Sequence, residues 1–275
     1  MANWVDGFVE TNGISLHYTR TGGGKPPLVL CHGFTDNGLC WTPVARELEA
    51  DYDVIMVDAR CHGKSDAPVT GNDTQAMADD LAGLIEGLGL DRPVVAGHSM
   101  GAGYVQNAAA RYPQLMRAIV LEDPGWRMGP MPTGGQADRT ARMRAEFARA
   151  QSMSFDDAYA MYREQFNPAV SDEIVWFLTH SKRELNLNIL NRDFGPGNDW
   201  RELVAKIKCP FLLFTGNPEL GGLVTDAAYQ EVVKLAPQIE RVHVDSVGHL
   251  IRYEALDRFL AALKPFLAKV FGSAE

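Results

Sequence analysis

Ser99 stands in a short glycine-rich segment whose spacing is suited to nucleophilic chemistry. Gly97 and Gly101 flank it two residues away on either side, an apolar run precedes it at 94–96, and small and apolar residues follow it with helical spacing at 102–111. A serine between a strand and a helix is held in a tight turn, and glycines are needed because the two backbones nearly touch. Its hydroxyl would lie at the positive end of the helix, where developing negative charge is stabilised. The segment therefore predicts a nucleophilic serine.

Other kinds of chemistry have no comparable signal in the sequence. The four cysteines, at positions 31, 40, 61 and 209, have neither metal-site spacing nor a disulfide framework, so we expect reduced thiols. No cluster of histidines and carboxylates is typical of a metal site. The three glycines at 22–24 lack the spacing of a dinucleotide-binding loop, and no phosphate-binding glycine motif occurs. We therefore expect no metal and no cofactor.

The elements around Ser99 alternate between apolar strands and helices. Five continuous apolar runs predict buried strands: 28–31, 53–57, 94–96, 118–121 and 210–214. An Asn-Gly pair at 12–13 indicates a hairpin near the start. Strands of this kind are typical of a parallel sheet covered by helices on both faces. Ligands bind at the carboxyl ends of such strands, so the polar segments there should converge on Ser99.

The alternation stops between residues 126 and 200. Helical stretches rich in methionine and aromatic residues replace the strands there. We interpret 126–200 as a helical cap inserted into a core domain formed by 1–125 and 201–275. A cap in this position would lie over Ser99, and its inner face would form an apolar pocket wall.

Four segments, in their order and spacing, resemble the α/β-hydrolase superfamily over nearly the whole chain. They are HGF at 32–34, DARCHGKS at 58–65, GHSMG at 97–101 and GH at 248–249. The resemblance implies an α/β-hydrolase fold: a mostly parallel eight-stranded sheet with helices on both faces and an inserted cap. Cys61 stands where the superfamily usually has glycine, in a loop that is structural.

The resemblance also implies roles in catalysis. Ser99 is the nucleophile, and His249 is the base that removes its proton. His249 follows the last strand, and Gly248 lets its loop approach the end of the sheet. The backbone N–H groups of Phe34 and Met100 would bind the oxyanion of an acyl-transfer intermediate.

Two carboxylates are candidates for the acid that holds His249 in the required tautomer. Glu219 lies three residues after Gly216, where the superfamily most often has an aspartate. Asp123 follows the strand at 118–121, which is the second location known in the superfamily. A carboxylate at the end of a buried strand needs a partner, which a histidine would supply. We favour Asp123 narrowly and keep Glu219 as the alternative.

The predicted substrate pocket lies between core and cap, beside the side chains of Phe34 and Met100. Its expected lining combines loop residues of the core with residues of the cap segment: His32, Gly33, Trp126, Met153, Tyr159, Trp176 and Phe177. Most of these side chains are apolar, so the substrate should have an apolar acyl or ring portion.

Together these features favour a serine hydrolase that cleaves a carboxylic ester or lactone through an acyl-enzyme on Ser99. Capped lactonases of the superfamily, including those acting on N-acyl-homoserine lactones, have a similar layout. The same triad serves carbon–carbon bond hydrolases, perhydrolases and hydroxynitrile lyases, and a weakly catalytic ligand receptor on this scaffold is a further alternative. A dehalogenase or epoxide hydrolase would have an aspartate nucleophile, which Ser99 argues against.

Composition limits the partners of this chain. It has 275 residues, 46% of them hydrophobic, and a net charge of −9 without a basic cluster, which argues against nucleic acid and anionic membranes. No apolar run approaches the ~20 residues of a membrane span, and the first residues lack the pattern of a signal peptide. We expect a small-molecule partner, a cytoplasmic location and a monomer or homodimer.

Overall fold

A sheet of eight strands forms the centre of the part of the chain described by this computed structural model, residues 4–126, 128, 136–191 and 199–272. The strands are β1 (Val5–Thr11), β2 (Ile14–Arg20), β3 (Pro27–Cys31), β4 (Asp53–Val57), β5 (Val94–His98), β6 (Ala118–Glu122), β7 (Phe211–Gly216) and β8 (Ile239–Val244). Their order is β1-β2-β4-β3-β5-β6-β7-β8. The β1–β2 and β2–β4 pairs are antiparallel, and the other pairs are parallel.

Helices pack on both faces of this sheet. The α-helices among the described residues are α1 (Thr42–Leu48), α2 (Thr74–Gly87), α3 (Met100–Arg111), α4 (Gln136–Ser152), α5 (Phe155–Gln165), α6 (Asp172–Glu184), α7 (Trp200–Val204), α8 (Asp226–Leu235), α9 (Ile251–Glu254) and α10 (Leu256–Gly272). One face packs against α2, α3 and α8, through residues such as Val105, and the other against α1 and α10, through residues such as Leu263. This two-sided burial explains the continuous apolar strands, because β4 to β7 have no exposed face. The predicted fold class is confirmed.

The end of the chain differs from its sequence-based prediction. The apolar spacing over 253–271 predicts a single amphipathic helix, but the backbone leaves the helical conformation at Ala255, which separates α9 from α10. Arg252 and Tyr253 of α9 bind buried polar groups at the carboxyl ends of the strands, whereas α10 packs its apolar side on the sheet. One continuous helix is replaced by two because these two stretches pack in different environments.

The segments α4, α5 and α6 lie between β6 and β7 in the chain and form a cluster of their own. Ala150, Tyr162 and Leu178 pack together there, and the cluster continues onto Cys40 and Tyr253 of the core. The boundaries of the cap at 126 and 200 stay a prediction, since residues 127, 129–135 and 192–198 lie outside the described part. Within that part, none of the helices combines the length and the apolar character needed to cross a membrane.

Candidate active site

The turn at Ser99 has the strained geometry expected of an exposed nucleophile. Ser99 has a φ of +52° and a ψ of −109°, between the end of β5 and the first turn of α3. A Cβ at Gly97 would clash with the backbone of Gly101, and a Cβ at Gly101 would clash with the carbonyl of Cys31. A non-glycine residue in such a conformation costs on the order of 1–3 kcal/mol, which the surrounding close packing enforces. The reason for the two glycines is therefore confirmed.

Asp123 holds the ring of His249. One oxygen of its carboxylate, Oδ2, lies 2.6 Å from Nδ1 of His249 and accepts a hydrogen bond from the backbone N–H of Leu223 at 2.8 Å. The other, Oδ1, accepts from the N–H of Val224 at 3.3 Å. The side chain of Asp123 is fully buried, with three donors directed at it. A carboxylate bound in this way fixes Nδ1 of His249 as the protonated nitrogen and leaves Nε2 to accept a proton.

Glu219, the alternative acid, lies elsewhere. It is exposed on a short turn, Pro218–Leu220, where its backbone N–H binds the side chain of Asn217. The loop after Gly216 instead bends back so that its later residues donate to Asp123. Gly216 and Gly248 make this possible, because a Cβ at Gly216 would overlap the carbonyl oxygen of Gly248. The geometry brings Asp123, and not Glu219, to His249.

The loop that carries Phe34 is a tight turn next to the Ser99 turn. The N–H of Asp36 donates to the carbonyl of Gly33 at 3.1 Å, and Thr35 has a φ of +76°. A Cβ at Gly33 would lie 2.6 Å from Nδ1 of His98 and 3.5 Å from Cβ of Ser99. Only glycine therefore allows the loop to approach Ser99 so closely. The other predicted oxyanion donor, Met100, is the first residue of α3, where helical N–H groups have no partner within the helix.

The ring of His32 links this loop to the backbone that follows β4. Its Nδ1–H donates to the carbonyl of Gly33 at 2.8 Å, and its Nε2 accepts the N–H of Ala59 at 3.0 Å. The residue is completely buried, and burial lowers the pKa of its imidazole, so the ring is neutral. Because both ring nitrogens are occupied inside the protein, His32 braces the loop. Its side chain is fully buried, and its place in the pocket lining stays a prediction.

His98 joins the serine turn to the histidine loop. Its Nε2–H donates to the carbonyl oxygen of His249 at 3.1 Å, and the two rings lie 4.7 Å apart. Burial holds the pKa of His98 well below its ordinary value, so the ring stays neutral beside His249. The described structure contains no hydrogen bond between the Ser99 hydroxyl and His249, a bond that in other active sites often forms only with substrate bound.

A buried ionic network behind the site was missed by sequence reasoning. Arg252 donates from its backbone N–H and its guanidinium to Glu122, at 2.8 and 2.7 Å, and Tyr253 donates to Asp36 at 2.8 Å. Burial raises the pKa of Glu122, an effect that the nearby guanidinium opposes. Glu122 precedes Asp123, so the network joins the end of β6, the helix α9 and the loop at 33–36. Its one sequence signal is a glutamate that ends an otherwise apolar strand.

Two aromatic residues, Phe34 and Trp126, connect the core to the segment of the cap. The ring of Phe34 makes an edge contact with Phe147 of α4 at 6.1 Å between centroids, which places the cap next to the oxyanion loop. Phe147 was not among the predicted lining residues. Trp126 is buried, stacks on Trp200 at 5.3 Å and donates to Gln106 at 2.6 Å, an arrangement that anchors the start of the cap segment.

The aromatic contacts of three predicted lining residues of the cap, Tyr159, Trp176 and Phe177, are with other cap residues. Phe177 is buried in the cluster formed by the cap helices, and Tyr159 packs against that cluster. Trp176 is 45% exposed and contacts the rings of His180 and Phe177, at 4.1 and 5.2 Å. The backbone carbonyl oxygen of Met153, which follows α4, accepts a hydrogen bond from the guanidinium of Arg183. Their influence on substrate preference stays a prediction.

The chain belongs to the α/β-hydrolase family, because a family model described as the alpha/beta hydrolase fold matches residues 26–256. It is 30% identical over 267 residues to the N-formylmaleamate deformylase of Pseudomonas putida, with 95% of this chain and 96% of that protein covered. A solved N-formylmaleamic acid deformylase from Pseudomonas putida matches with a TM-score of 0.79 and 25% identity, covering 94% of this chain and 100% of that one. The enol-lactonase from Burkholderia xenovorans matches with a TM-score of 0.74 and 26% identity, covering 95% and 100%. By class, the chain is a hydrolase.

No metal-binding cluster was expected. Over residues 4–126, 128, 136–191 and 199–272, the structure places no three histidine, cysteine, aspartate or glutamate side chains so that they could share a metal ion. The charged groups that converge near Ser99 are instead engaged in pairs, as in Asp123 with His249 and Glu122 with Arg252.

Proposed function

We propose that this chain is a serine hydrolase that cleaves a carboxylic ester or lactone bond of a small, partly apolar substrate. Ser99 is the nucleophile, His249 the base and Asp123 the acid that orients it. The backbone N–H groups of Phe34 and Met100 form the oxyanion hole. The observation that carries the proposal is the 2.6 Å contact between Asp123 and His249, at the same end of the sheet as the strained Ser99 turn.

The chemistry proceeds through two acyl-transfer steps. Nε2 of His249 takes the proton of the Ser99 hydroxyl as its oxygen attacks the substrate carbonyl. The tetrahedral oxyanion is bound by the two N–H groups, and its collapse breaks the bond to the leaving alcohol, which receives the proton from His249. A water molecule then gives a proton to His249 and attacks the acyl-enzyme. The second tetrahedral intermediate collapses with release of the acid, as His249 returns the proton to the oxygen of Ser99. The buried carboxylate of Asp123 stabilises the positive charge that His249 carries in both steps.

Amide hydrolysis is a second candidate function, and the similarity to a deformylase favours it. The relative that is 30% identical over nearly the full length is named a deformylase of N-formylmaleamate. The same triad and oxyanion hole would cleave the bond between a formyl carbon and nitrogen, with His249 protonating the leaving nitrogen. Within the lactone class, N-acyl-homoserine lactones are a possible substrate that we include in the proposal. We also propose that the protein is cytoplasmic and that it is a monomer or a homodimer.

A covalent probe tests the nucleophile directly. A fluorophosphonate should label Ser99, and Ser99→Ala should lose labelling and at least ~10³-fold in kcat for a short p-nitrophenyl ester. Circular dichroism should show that the variant keeps its fold. Ser152→Ala, at an exposed serine that ends α4, is the matched control and should behave as the wild type. Labelling of another serine, or an active Ser99→Ala, would contradict the proposal.

Formate release separates the two candidates. The wild type is given an N-formyl amide and a formyl ester of similar size, and kcat/KM is measured for each. A preference for the ester by more than about tenfold supports the first candidate, whereas a preference for the amide supports the second. Loss of both activities in Ser99→Ala would show that one site performs them.

A further inference from the structure

Lys182 reaches from the cap to the loop that carries the proposed oxyanion donor. Lys182 belongs to α6, and its Nζ donates a hydrogen bond to the hydroxyl of Thr35 at 3.0 Å. Thr35 directly follows Phe34 in the chain. From bond lengths, Nζ therefore lies no more than about 10 Å from the backbone nitrogen of Phe34. If the N–H of Phe34 binds the carbonyl oxygen of a small substrate, another group of the same substrate can reach the ammonium of Lys182.

The ammonium of Lys182 has no anionic partner in the described part of the chain. No ion pair within 4.0 Å joins its Nζ to a carboxylate among those residues, and its hydrogen bond is to the neutral hydroxyl of Thr35. The rings of Tyr162 and Phe166 lie 5.6 Å from Nζ and cover part of its surroundings. The side chain is half-buried, so it loses hydration without gaining an ion pair.

The acidic residues nearby are bound to other groups. Glu184, two residues further along α6, accepts a hydrogen bond from Asn37 at 2.9 Å. Asp36 is buried and accepts from Tyr253 at 2.8 Å and from Arg252 at 3.4 Å. Neither carboxylate is free to turn toward the ammonium without leaving these partners. Among the residues that the structure describes, Lys182 therefore presents a positive charge without an ion-pair partner.

A carboxylate is the group that this arrangement would bind best. Nζ of Lys182 can donate to it, and the hydroxyl of Thr35, whose oxygen accepts from Nζ, still has its own proton to donate. Hydrogen bonds to a charged partner are stronger than those between neutral groups, and they are stronger still in a partly buried site.

We propose that Lys182 and Thr35 form a carboxylate-binding subsite, so that the substrate carries a free carboxylate about two to four bonds from the reacting carbonyl. The substrate would be a half-ester, lactone or amide of a small dicarboxylic acid. This inference rests on the proposed function, since it uses the position of the oxyanion hole, and it narrows the substrate class.

A pair of matched esters tests the subsite. Monomethyl succinate carries the carboxylate, and methyl 4-methylpentanoate replaces it with an uncharged group of the same shape. The wild type should favour the charged ester in kcat/KM, and Lys182→Met should reduce the charged-to-neutral ratio by about 10- to 100-fold, mainly through KM. Lys182→Arg should retain part of the preference. Lys264 is the control lysine, since it belongs to α10 and forms an ion pair with Glu47. Lys264→Met should leave the charged-to-neutral ratio unchanged.

A merely structural role of Lys182 would give a different result. If the lysine only braced the loop of Phe34, Lys182→Met would slow both esters equally and the ratio would stay as in the wild type. That result would overturn the proposal. Thr35→Ala removes the brace but keeps the charge, so its ratio should fall less than that of Lys182→Met. An equal or larger fall in Thr35→Ala would also contradict a subsite centred on the lysine.

Binding to an inactive protein keeps this test separate from the proposed function. Calorimetry measures monomethyl succinate binding to Ser99→Ala, with and without Lys182→Met. A tenfold or greater weakening supports the subsite even if the wild type hydrolyses neither ester, in which case the proposed reaction alone would fail. No binding to Ser99→Ala, or an affinity that Lys182→Met does not change, would overturn the subsite.

Discussion

Replacing Asp123 by asparagine tests the arrangement of the site most sharply, because the change preserves shape and removes charge. In the wild type both carboxylate oxygens accept hydrogen bonds: one from His249 and Leu223, the other from Val224. An amide has one accepting oxygen. If that oxygen faces His249, the NH₂ group opposes the N–H of Val224, and if it is reversed, the NH₂ group forces the wrong tautomer on His249.

The magnitude follows from charge and geometry. Asp123 is fully buried and lies 2.6 Å from the ring nitrogen of His249. Two unit charges centred about 4 Å apart interact by about 4 kcal/mol at an effective dielectric constant of 20. That is the stabilisation lost by a protonated His249 in the transition state, and it corresponds to about 10³-fold in rate. We expect Asp123→Asn to lower kcat by about 10²–10⁴-fold and to cost about 1–3 kcal/mol in unfolding free energy.

Initial rates with a short p-nitrophenyl ester, measured well below the melting temperature of each variant, give kcat. Glu219→Gln is the matched control, since it removes a charge from an exposed turn and should cost less than about tenfold. A dead Glu219→Gln beside an active Asp123→Asn would refute the reasoning from burial and geometry. If both variants stayed active, a group other than these two carboxylates would orient His249.

Two further predictions concern the loop 58–65. Cys61 is buried with a φ of +65°, so Cys61→Gly should be more stable than Cys61→Ala by about 1 kcal/mol in urea unfolding, and the reverse order would show that no backbone strain is stored there. Burial alone would raise the pKa of Asp58, but hydrogen bonds from His17, Lys64 and Gly38 outweigh it and hold the pKa below 3.8. Its contribution, about 2 kcal/mol, is therefore present at pH 7 and lost as the pH falls below 3.8. The stability difference between the wild type and Asp58→Asn should shrink over that range, and a difference independent of pH would contradict this sign.

Local patterns were sufficient for much of the fold. The strand at 53–57 was predicted with the bounds that β4 has, because a continuous apolar run between polar ends specifies a strand buried on both faces. The turn at Ser99 was equally local, since the two glycines that permit it lie within two residues of the serine. The hydrogen bonds of His32 are only partly local, because its Nε2 accepts from the N–H of Ala59, which is distant in sequence.

The choice between the two acids shows what local patterns leave open. Asp123 and Glu219 both follow strands and both satisfy the rule for a triad acid. The two carboxylates differ in their surroundings, because the parallel pairing of β6 with β7 brings the loop of Leu223 and Val224 over Asp123. This loop and Asp123 are about a hundred residues apart in the chain. That contact buries one carboxylate among donors and leaves the other in water.

The sequence by itself determined the strands, the nucleophile turn and the set of candidate residues, because these depend on apolar periodicity and on glycine at close range. Tertiary structure alone decided which polar side chains come into contact. Glu122 and Arg252 are 130 residues apart, and Lys182 and Thr35 are 147 residues apart. Charged side chains carry no periodic signal for their partners, so a pairing at that separation arises only when the sheet order and the helix packing bring both groups out of water to the same place.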